Sequence, residues 1–459
     1  MKNFIFKILA TILVLTLTLC LVGCGEKSGK VDSSNMDVVD LKGREITFVT
    51  WGQTLKIYED ASDEKMQTYY LRMKEMEKLY NCKFVFKEVA AGEILSSFVA
   101  GEMGDAPLGD VVLMRESWAT SAFNDNHLLD LSKVFDGDLP QFYKPAVDTF
   151  KQDNGSFYSI AFYDFNPAEN IIYFNKDLFE ERGVDVKNLY KDVNDGKWTF
   201  DKYLEVAKKV AVNKNGTYEV YGGFGTTAGD ALSDWLIPFG AEIMTQNDDG
   251  TYASGLKSQE TYKALENAKK VIGFDYIFTR GGNDTYETPF DMFTSKTLAM
   301  YKGAIMHLTK VKDNCNFQFG VLPFPVAKEG DEYFASAMVT NIAVMPKSFE
   351  KDMETAQAIA DIVTYVYQPV YQEIETQLRS GFAMNTYDEE SVEMLLKLST
   401  TENWHNFNYI RTGLTPSYNE IVKNTFSKVI NGSTSIDAGV AAVDDAWNNV
   451  IKEYNKTLK

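Results

Sequence analysis

Strand-like and helix-like segments alternate along the first third of the chain. Residues 45–51 are β-prone, residues 66–80 carry an apolar stripe at three- and four-residue spacing, and residues 83–86 are again strand-like. Residues 94–99 favour a second helix, and residues 110–114 are a continuous apolar run, typical of a strand buried on both faces of its sheet. This order predicts an α/β fold built on parallel, doubly wound sheets.

The same two patterns recur through the rest of the chain. Thr199 is predicted to cap the N-terminus of a helix, because its hydroxyl can accept a hydrogen bond from the first helical turn. The further predicted strands are 171–174, 297–301, 317–322 and 340–345, and the further predicted helices are 200–210, 352–367, 389–398, 418–430 and 436–454. No repeat with a period of 20–50 residues is visible, which argues against a solenoid or a propeller.

The N-terminal segment has the pattern of an export signal. Lys2 and Lys7 precede an apolar run from Ile8 to Val22, and a small residue, Gly23, follows. This run is shorter than the roughly 20 residues that span a bilayer as a helix. The pattern predicts a cleaved signal peptide over residues 1–23, with a signal-anchor as the alternative.

Residues 21–24, Leu-Val-Gly-Cys, resemble the lipobox of bacterial lipoproteins. The resemblance implies cleavage before Cys24, acylation of Cys24 with chains such as palmitate, and anchoring on the outer face of the bacterial cell membrane. Alternatively, Cys24 is simply a cysteine near a cleavage site. Residues 24–40 are small and polar, and predict a lipidated N-terminus followed by a flexible tether. Outside the cell a disulfide between Cys82 and Cys315 is an alternative to two free thiols, but nothing local in the sequence favours it.

Charge and composition exclude several classes of protein. The formal net charge is -19, and no block of Lys or Arg offsets it, so a nucleic-acid partner is not expected. Four cysteines in 459 residues are too few for a disulfide-built scaffold.

The motifs of the common enzyme classes are also missing from the sequence. There is no Gly-x-Ser-x-Gly nucleophile elbow and no Gly-x-x-x-x-Gly-Lys phosphate loop. Residues 223–228, Gly-Phe-Gly-Thr-Thr-Ala, have the spacing of a dinucleotide fingerprint, but a glycine-rich surface loop is the favoured interpretation. His127, His307 and His405 are isolated and do not predict a zinc site.

Three carboxylates near predicted strand ends are candidates for a glycosidase pair, and for each of them a solvated surface position is the favoured interpretation. They are Glu116, Asp164 and Glu169.

A series of short motifs runs along nearly the whole mature chain. The most specific stretch is Asn154–Phe179, with Asn-Gly-Ser-Phe-Tyr-Ser-Ile-Ala followed by Ile-Tyr-Phe-Asn-Lys-Asp-Leu-Phe. The other motifs are 46–52, 79–85, 98–113, 127–131, 198–201, 293–300 and 320–325. Their order resembles that of the extracellular solute-binding proteins of ABC importers, in the branch that includes maltose-binding protein.

The resemblance implies a two-lobed, periplasmic-binding-protein-like α/β fold with a ligand cleft between the lobes. Lobe 1 is expected to comprise residues 41–163 plus 326–368, and lobe 2 residues 167–323 plus 370–459. The crossing segments are expected near 162–167, 323–327 and 365–371. By the same resemblance, the protein is a monomer that binds a small molecule, closes around it and presents it to the permease subunits of an ABC transporter. It is expected to use no cofactor, no metal and no catalytic residue.

A sugar ligand needs flat aromatic rings beside a few polar side chains. Trp235 is the best-supported candidate, because relatives place a cleft aromatic in a similar Trp-Leu-Ile context. The full set of predicted ligand-binding residues is Trp51, Gly52, Trp118, Tyr163, Asp164, Trp235, Tyr301 and Trp404.

One departure from the family pattern bears on the ligand. Maltodextrin-binding relatives have a stacking Trp in an Asn-Gly-Pro-Trp element, whereas this chain has Lys302-Gly303-Ala304-Ile305. Maltodextrin is therefore not the predicted ligand. Lys302 is expected to be a salt-bridged surface lysine, with contact to an acidic sugar as the alternative. A non-sugar solute, a sensor that presents its ligand to a membrane kinase, and an exported carbohydrate-active enzyme remain open as alternative functions.

Overall fold

The structure is a computed structural model, and it describes residues 33–51, 57, 59, 64–152, 154–162, 170–225, 234–236, 239–336, 341–371, 373–399, 404–405 and 412–457. Cys24 and the predicted signal peptide lie outside these residues, as do Gly52, Tyr163 and Asp164. In the part of the chain that the structure describes, no helix combines the length and the apolar character needed to cross a membrane.

The strands are β1 Arg44–Thr50, β2 Cys82–Glu88, β3 Val111–Arg115, β4 Ile171–Asn175, β5 Val212–Lys214, β6 Thr217–Val220, β7 Gly223–Gly225, β8 Met244–Gln246, β9 Tyr252–Ser254, β10 Ile277–Thr279, β11 Met300–Gly303, β12 Phe319–Pro323, β13 Ala335–Ser336, β14 Asn341–Val344 and β15 Trp404–His405. Each strand predicted from the sequence has a counterpart here, with its ends shifted by up to three residues.

The α-helices are α1 Glu64–Leu79, α2 Ile94–Met103, α3 Glu116–Asn124, α4 Lys144–Asp148, α5 Lys176–Glu181, α6 Val186–Asn194, α7 Phe200–Val210, α8 Gln259–Ile272, α9 Thr288–Thr294, α10 Leu308–Asn314, α11 Met353–Tyr367, α12 Ile374–Asn385, α13 Glu389–Ser399, α14 Thr415–Tyr418, α15 Asn424–Ile430 and α16 Ile436–Thr457. The predicted cap of α7 is confirmed, because the Thr199 side chain accepts a hydrogen bond from the Lys202 backbone N–H at 3.3 Å.

A four-stranded sheet in the order β14-β3-β1-β2 organises the first part of the chain. β1 pairs in parallel with β2 and β3, and β14 closes the sheet antiparallel to β3. Side chains alternate between the two faces, so Val111 and Leu113 enter one apolar cluster and Val112 and Met114 enter another. The two clusters together form core A, and the predicted burial of this strand on both faces is confirmed.

The second sheet, in the order β11-β4-β12, differs from the predicted parallel arrangement. β4 lies in the middle and is antiparallel to both neighbours. Local periodicity does not contain this information, because both partners of β4 come from more than 100 residues further along the chain. The sheet lies within core B, a single apolar cluster that extends from Ile171 to Ile451 and takes in the C-terminal helices.

The glycine-rich segment at residues 223–228 also differs from its favoured interpretation as a surface loop. Gly223–Gly225 is strand β7, which pairs in parallel with β10. Gly222 and Gly223 are buried against Ala207 and the Tyr203 ring, where an added Cβ would meet existing atoms. These glycines therefore allow close packing of α7 on the sheet.

The chain passes from core A to core B and back again. Phe162 packs in core A, and β4 of core B begins at Ile171. Val326, Tyr333 and Ala335 pack in core B, although the expected boundary assigned the chain from residue 326 to lobe 1. The return to core A thus occurs between Ala335 and the start of β14.

A third passage follows α11, whose last residues pack in core A. The Arg72 guanidinium donates hydrogen bonds to the carbonyl groups of Val366, Gln368 and Pro369, which lie at the C-terminal end of this helix. Leu378 of α12 already packs against core B. This passage therefore overlaps the segment predicted at 365–371 and extends beyond it.

The two cysteines of the folded part are free. Cys82 is buried in core A, whereas Cys315 packs against core B. Burial raises the pKa of the Cys82 thiol to about 11 and that of Cys315 to about 12. Both side chains thus serve as apolar packing groups, which removes the alternative that they form a disulfide.

Candidate functional site

Two predicted aromatic residues, Trp51 and Trp118, meet at one edge of the four-stranded sheet. Trp51 follows the last residue of β1, and Trp118 lies in the first turn of α3, directly after β3. Because β1 and β3 are parallel neighbours, their carboxyl ends lie at the same edge of the sheet. The two rings are 5.9 Å apart and meet edge to face at 65°.

Arg115, the last residue of β3, joins the two rings. Its guanidinium carbon lies 4.7 Å from the Trp51 ring centre and 5.0 Å from the Trp118 ring centre. Cation–π attraction at these distances holds the rings in place and fixes a flat, positively charged surface. We call Trp51, Arg115 and Trp118 the Trp–Arg–Trp cluster. Sequence reasoning missed Arg115, although its place at the carboxyl end of a buried parallel strand is where binding residues collect in α/β sheets.

Glu116 lies beside this cluster and is buried, not solvated as expected from the sequence. It is the first residue of α3, where the partial positive charge of the helix N-terminus stabilises a carboxylate. The other two candidate carboxylates, Asp164 and Glu169, lie outside the described residues.

Asn341 brings an amide group to the same edge. It is the first residue of β14 and the register partner of Arg115. The residue is only 6% exposed, and within the described ranges its Oδ1 atom has no hydrogen-bond partner.

The three-stranded sheet presents a comparable edge. Ile171, the first residue of β4, pairs with Gly303 and Pro323, the last residues of β11 and β12. Asn170 immediately precedes β4, with φ at 61° and 3% exposure. Its Oδ1 atom, like that of Asn341, accepts no hydrogen bond from the residues that the structure describes.

One short passage between the cores joins the two edges. Ile160 bridges antiparallel to Ala343, so the chain from Ile160 to Phe162 runs toward the Asn341 end of β14. Only seven residues, 163–169, then lie between Phe162 and Asn170, and the eight backbone steps span at most about 28 Å. The edge with Asn341 and the Trp–Arg–Trp cluster thus leads directly along the chain to the edge with Asn170.

Lys302 forms an ion pair with Asp234 close to the second edge. The Lys302 side chain is 21% exposed and that of Asp234 only 3%, so this is a part-buried pair and not the surface salt bridge expected from the sequence. The Lys302 ammonium already has a carboxylate partner, which counts against the alternative contact to an acidic sugar.

Trp235, predicted from the sequence as a ligand-binding residue, packs inside core B. Its ring meets Phe200 edge to face at 4.8 Å and lies 4.7 Å from Phe324. Only 2% of the residue is exposed. Its surroundings are thus those of a packing residue.

Tyr301 is likewise buried in core B. Its ring stacks on Tyr173 at 5.9 Å, and its hydroxyl lies 3.2 Å from His307 Nδ1. Burial lowers the pKa of His307, and the charge of Lys310 lowers this pKa further, while the charge of Glu287 raises it.

Trp404 lies in the short strand β15. Its backbone pairs in parallel with Ala335 of β13.

The arrangement suits a ligand with apolar faces and hydrogen-bonding groups. The Trp–Arg–Trp cluster offers aromatic surface, and the two asparagines offer amide groups. Among the described residues, no group of three or more His, Cys, Asp or Glu side chains is placed to hold a metal ion.

A family model described as bacterial extracellular solute-binding protein matches residues 72–386 of the chain. No curated protein sequence matches at a significant level.

The chain matches several solved structures of the same fold over almost the whole length of those structures. A cyclic α-maltosyl-1,6-maltose binding protein from Arthrobacter globiformis is 18% identical, with a TM-score of 0.64 over 90% of this chain and 100% of that chain. An ABC substrate-binding protein from Listeria monocytogenes in complex with cycloalternan is 18% identical, with a TM-score of 0.62 and coverage of 89% and 99%. UgpB from Mycobacterium tuberculosis in complex with glycerophosphocholine is 13% identical, with a TM-score of 0.62 and coverage of 89% and 98%.

Proposed function

The chain belongs to the bacterial extracellular solute-binding proteins, with their two-lobed α/β fold, and on that premise we propose that it captures an oligosaccharide outside the cell and delivers it to an ABC permease. The observation that carries the sugar assignment is the Trp–Arg–Trp cluster, whose rings lie at a sheet edge that borders the passages between the cores. Sugars present apolar C–H faces to such rings and hydroxyls to nearby polar side chains.

The named ligands of the structural relatives support a carbohydrate over other solutes. One of the three relatives described above is named for cyclic α-maltosyl-1,6-maltose, and another is in complex with cycloalternan. The third, in complex with glycerophosphocholine, makes a polar non-sugar solute the second candidate. Recognition of a glycerophosphodiester would call for a cation directed at the phosphate. Lys302 is already engaged by Asp234, and the Arg115 guanidinium is engaged by the Trp51 and Trp118 rings.

The proposed mechanism is closure of two lobes around the ligand, without catalysis. Lobe 1 comprises residues 41–163 and the segment from Asn341 to 368, and lobe 2 comprises residues 167 to Ala335 and 370–459. This division moves the second boundary beyond Ala335, because the residues before it pack in core B. The ligand stabilises the closed form only through its higher affinity for that form.

The N-terminus is proposed to be a cleaved signal with a diacylated Cys24, followed by a tether to residue 40. Replacing Cys24 (Cys24→Ser) should move the protein from the membrane fraction to the medium. Continued membrane association of that variant would instead support the signal-anchor.

A thermal-shift panel tests the sugar assignment. A ligand that binds only the folded state, at 100 times its Kd, adds about 2.7 kcal/mol of stability. We expect xylotriose, cellotriose or mannotriose to raise the Tm, and inorganic phosphate and glycerophosphocholine to leave it unchanged. A shift produced only by glycerophosphocholine would transfer the assignment to the second candidate.

Small-angle X-ray scattering tests the mechanism. The stabilising sugar should reduce the radius of gyration at saturation. An unchanged radius at saturation would rule out lobe closure as the response to this ligand.

A further inference from the structure

Three buried polar atoms without a hydrogen-bond partner lie at the two sheet edges. They are the Oδ1 atoms of Asn170 and Asn341 and the indole Nε1 of Trp51, and the absence of partners holds for all residues that the structure describes. Buried polar groups in folded proteins are almost always hydrogen-bonded, so each such exception needs a physical reason. Here all three exceptions lie at sheet edges that one short passage of the chain joins.

Their positions connect them to the passages between the cores. Asn170 is the last residue before β4 and Asn341 is the first residue of β14, so each stands where the chain has just crossed. Trp51 lies in the Trp–Arg–Trp cluster, whose Arg115 is the register partner of Asn341. One asparagine therefore comes from each lobe.

We propose that Asn170, Asn341 and the Trp51 indole are ligand-contacting groups that the ligand itself satisfies. This inference rests on the proposed function and extends it to the chemical class of the ligand. The two amide oxygens accept hydrogen bonds, whereas the indole N–H donates one. The ligand must present both donors and acceptors, and a hydroxyl group is both. A fully ionised phosphate offers acceptors only and leaves both asparagine oxygens unsatisfied.

The purely structural explanation for Asn170 is its positive φ, a conformation in which asparagine is enriched. The positive φ explains why an asparagine stands at position 170, but it does not explain why the Oδ1 atom is buried without a hydrogen-bond partner. Asn341 has no such explanation, because it begins a regular strand. A cost in stability at these two positions is expected where a site is preorganised for a ligand.

The test uses variants that separate affinity from stability. Asn341→Leu removes the amide and keeps a side chain branched at the same atom, and Asn170→Gly removes the amide while tolerating the positive φ. The matched control is Asn215→Gly, a residue with φ at 54° that is exposed in the turn between β5 and β6. Each protein is titrated calorimetrically with xylotriose, cellotriose and mannotriose, and its Tm is measured without ligand.

We expect Asn341→Leu and Asn170→Gly each to weaken binding of the preferred trisaccharide at least tenfold. The ligand-free Tm of Asn341→Leu should be equal to or higher than that of the wild type, because an unsatisfied buried group has been removed. Trp51→Phe, which keeps an aromatic ring and removes the N–H donor, should weaken binding several-fold. Asn215→Gly should leave the affinity unchanged.

The outcomes distinguish the two levels of the proposal. A wild type that binds a trisaccharide, with unchanged affinity in both asparagine variants, overturns this inference and leaves the proposed function intact. A ligand-free Tm that falls by several degrees in Asn341→Leu also overturns it, since the amide would then have a structural role. A wild type that binds none of the trisaccharides overturns the proposed function, and with it the hydroxyl-bearing ligand.

Discussion

The guanidinium carbon of Arg115 lies 4.7 Å from the centre of the Trp51 ring, so the last residue of β3 contacts the residue that follows β1. Parallel pairing of the two strands creates this contact, since it brings their carboxyl ends to one edge. The guanidinium also contacts the Trp118 ring, and in this way one cation orients both aromatic surfaces of the proposed site.

Replacing Arg115 by lysine should lower ligand affinity while keeping the charge. An ammonium group cannot lie flat on both rings, and the loss of two cation–π contacts should cost about 1–2 kcal/mol in binding free energy. Titration calorimetry measures the effect. Arg280→Lys is the matched control, because Arg280 lies over the ring of Tyr286, which is not part of the cluster. Equal affinities in wild type and Arg115→Lys would contradict the orienting role.

Trp118 and Trp235 should respond in opposite ways to replacement by alanine. Trp118→Ala should weaken sugar binding by about 1–3 kcal/mol, on the scale of stacking losses on aromatic side chains. Trp235→Ala removes a ring packed by Phe200 and Phe324, and should lower the free energy of unfolding by about 3–5 kcal/mol. Urea unfolding and calorimetry of both variants provide the comparison. A stable Trp235→Ala protein with lost affinity would return Trp235 to the ligand site.

The Asp234–Lys302 pair should behave as a coupled unit. Asp234→Asn leaves the Lys302 ammonium part-buried without its carboxylate, and should lower the free energy of unfolding by up to about 3–5 kcal/mol. The double variant Asp234→Leu with Lys302→Met removes both charges and should be more stable than Asp234→Asn. Denaturant unfolding of this double variant and of its two single variants, Asp234→Leu and Lys302→Met, gives the coupling energy. Strictly additive effects of the two positions would argue against the pair.

Stability should decrease in mildly acidic solution because of His307. Its pKa is lowered from the ordinary value of 6.5, mainly by burial, so the unfolded chain takes up the proton first as the pH falls. The contribution of the neutral ring is complete above about pH 6.5 and is lost as the pH falls below that value. His307→Gln should flatten the change in Tm between pH 7.5 and 5.5. A variant with the same slope as the wild type would assign the pH dependence to other groups.

The sequence predicted the elements far better than their pairing. β4, β12, β14 and the long C-terminal helices follow from local apolar periodicity, which the sequence displays directly. The antiparallel order around β4 depends on partners more than 100 residues away, and local patterns carry no record of it.

The candidate site shows the same limit. Trp51 and Trp118 were predicted because they follow strands, and the structure brings them together. Trp235 was placed in the cleft by its local context, but its burial depends on Phe200 and Phe324, which pack on it from elsewhere in the chain. Arg115 was missed because a charged residue at a strand end is common, and only the neighbouring rings mark it out.

The most direct test of the account is a calorimetric titration of the wild type and of a double variant, Trp51→Ala with Trp118→Ala, with neutral trisaccharides. The account predicts saturable, one-to-one binding of at least one sugar to the wild type. The double variant should remain folded and show at least a hundredfold weaker binding. Equal affinity of the two proteins, or the absence of binding to any sugar in the wild type, would contradict it.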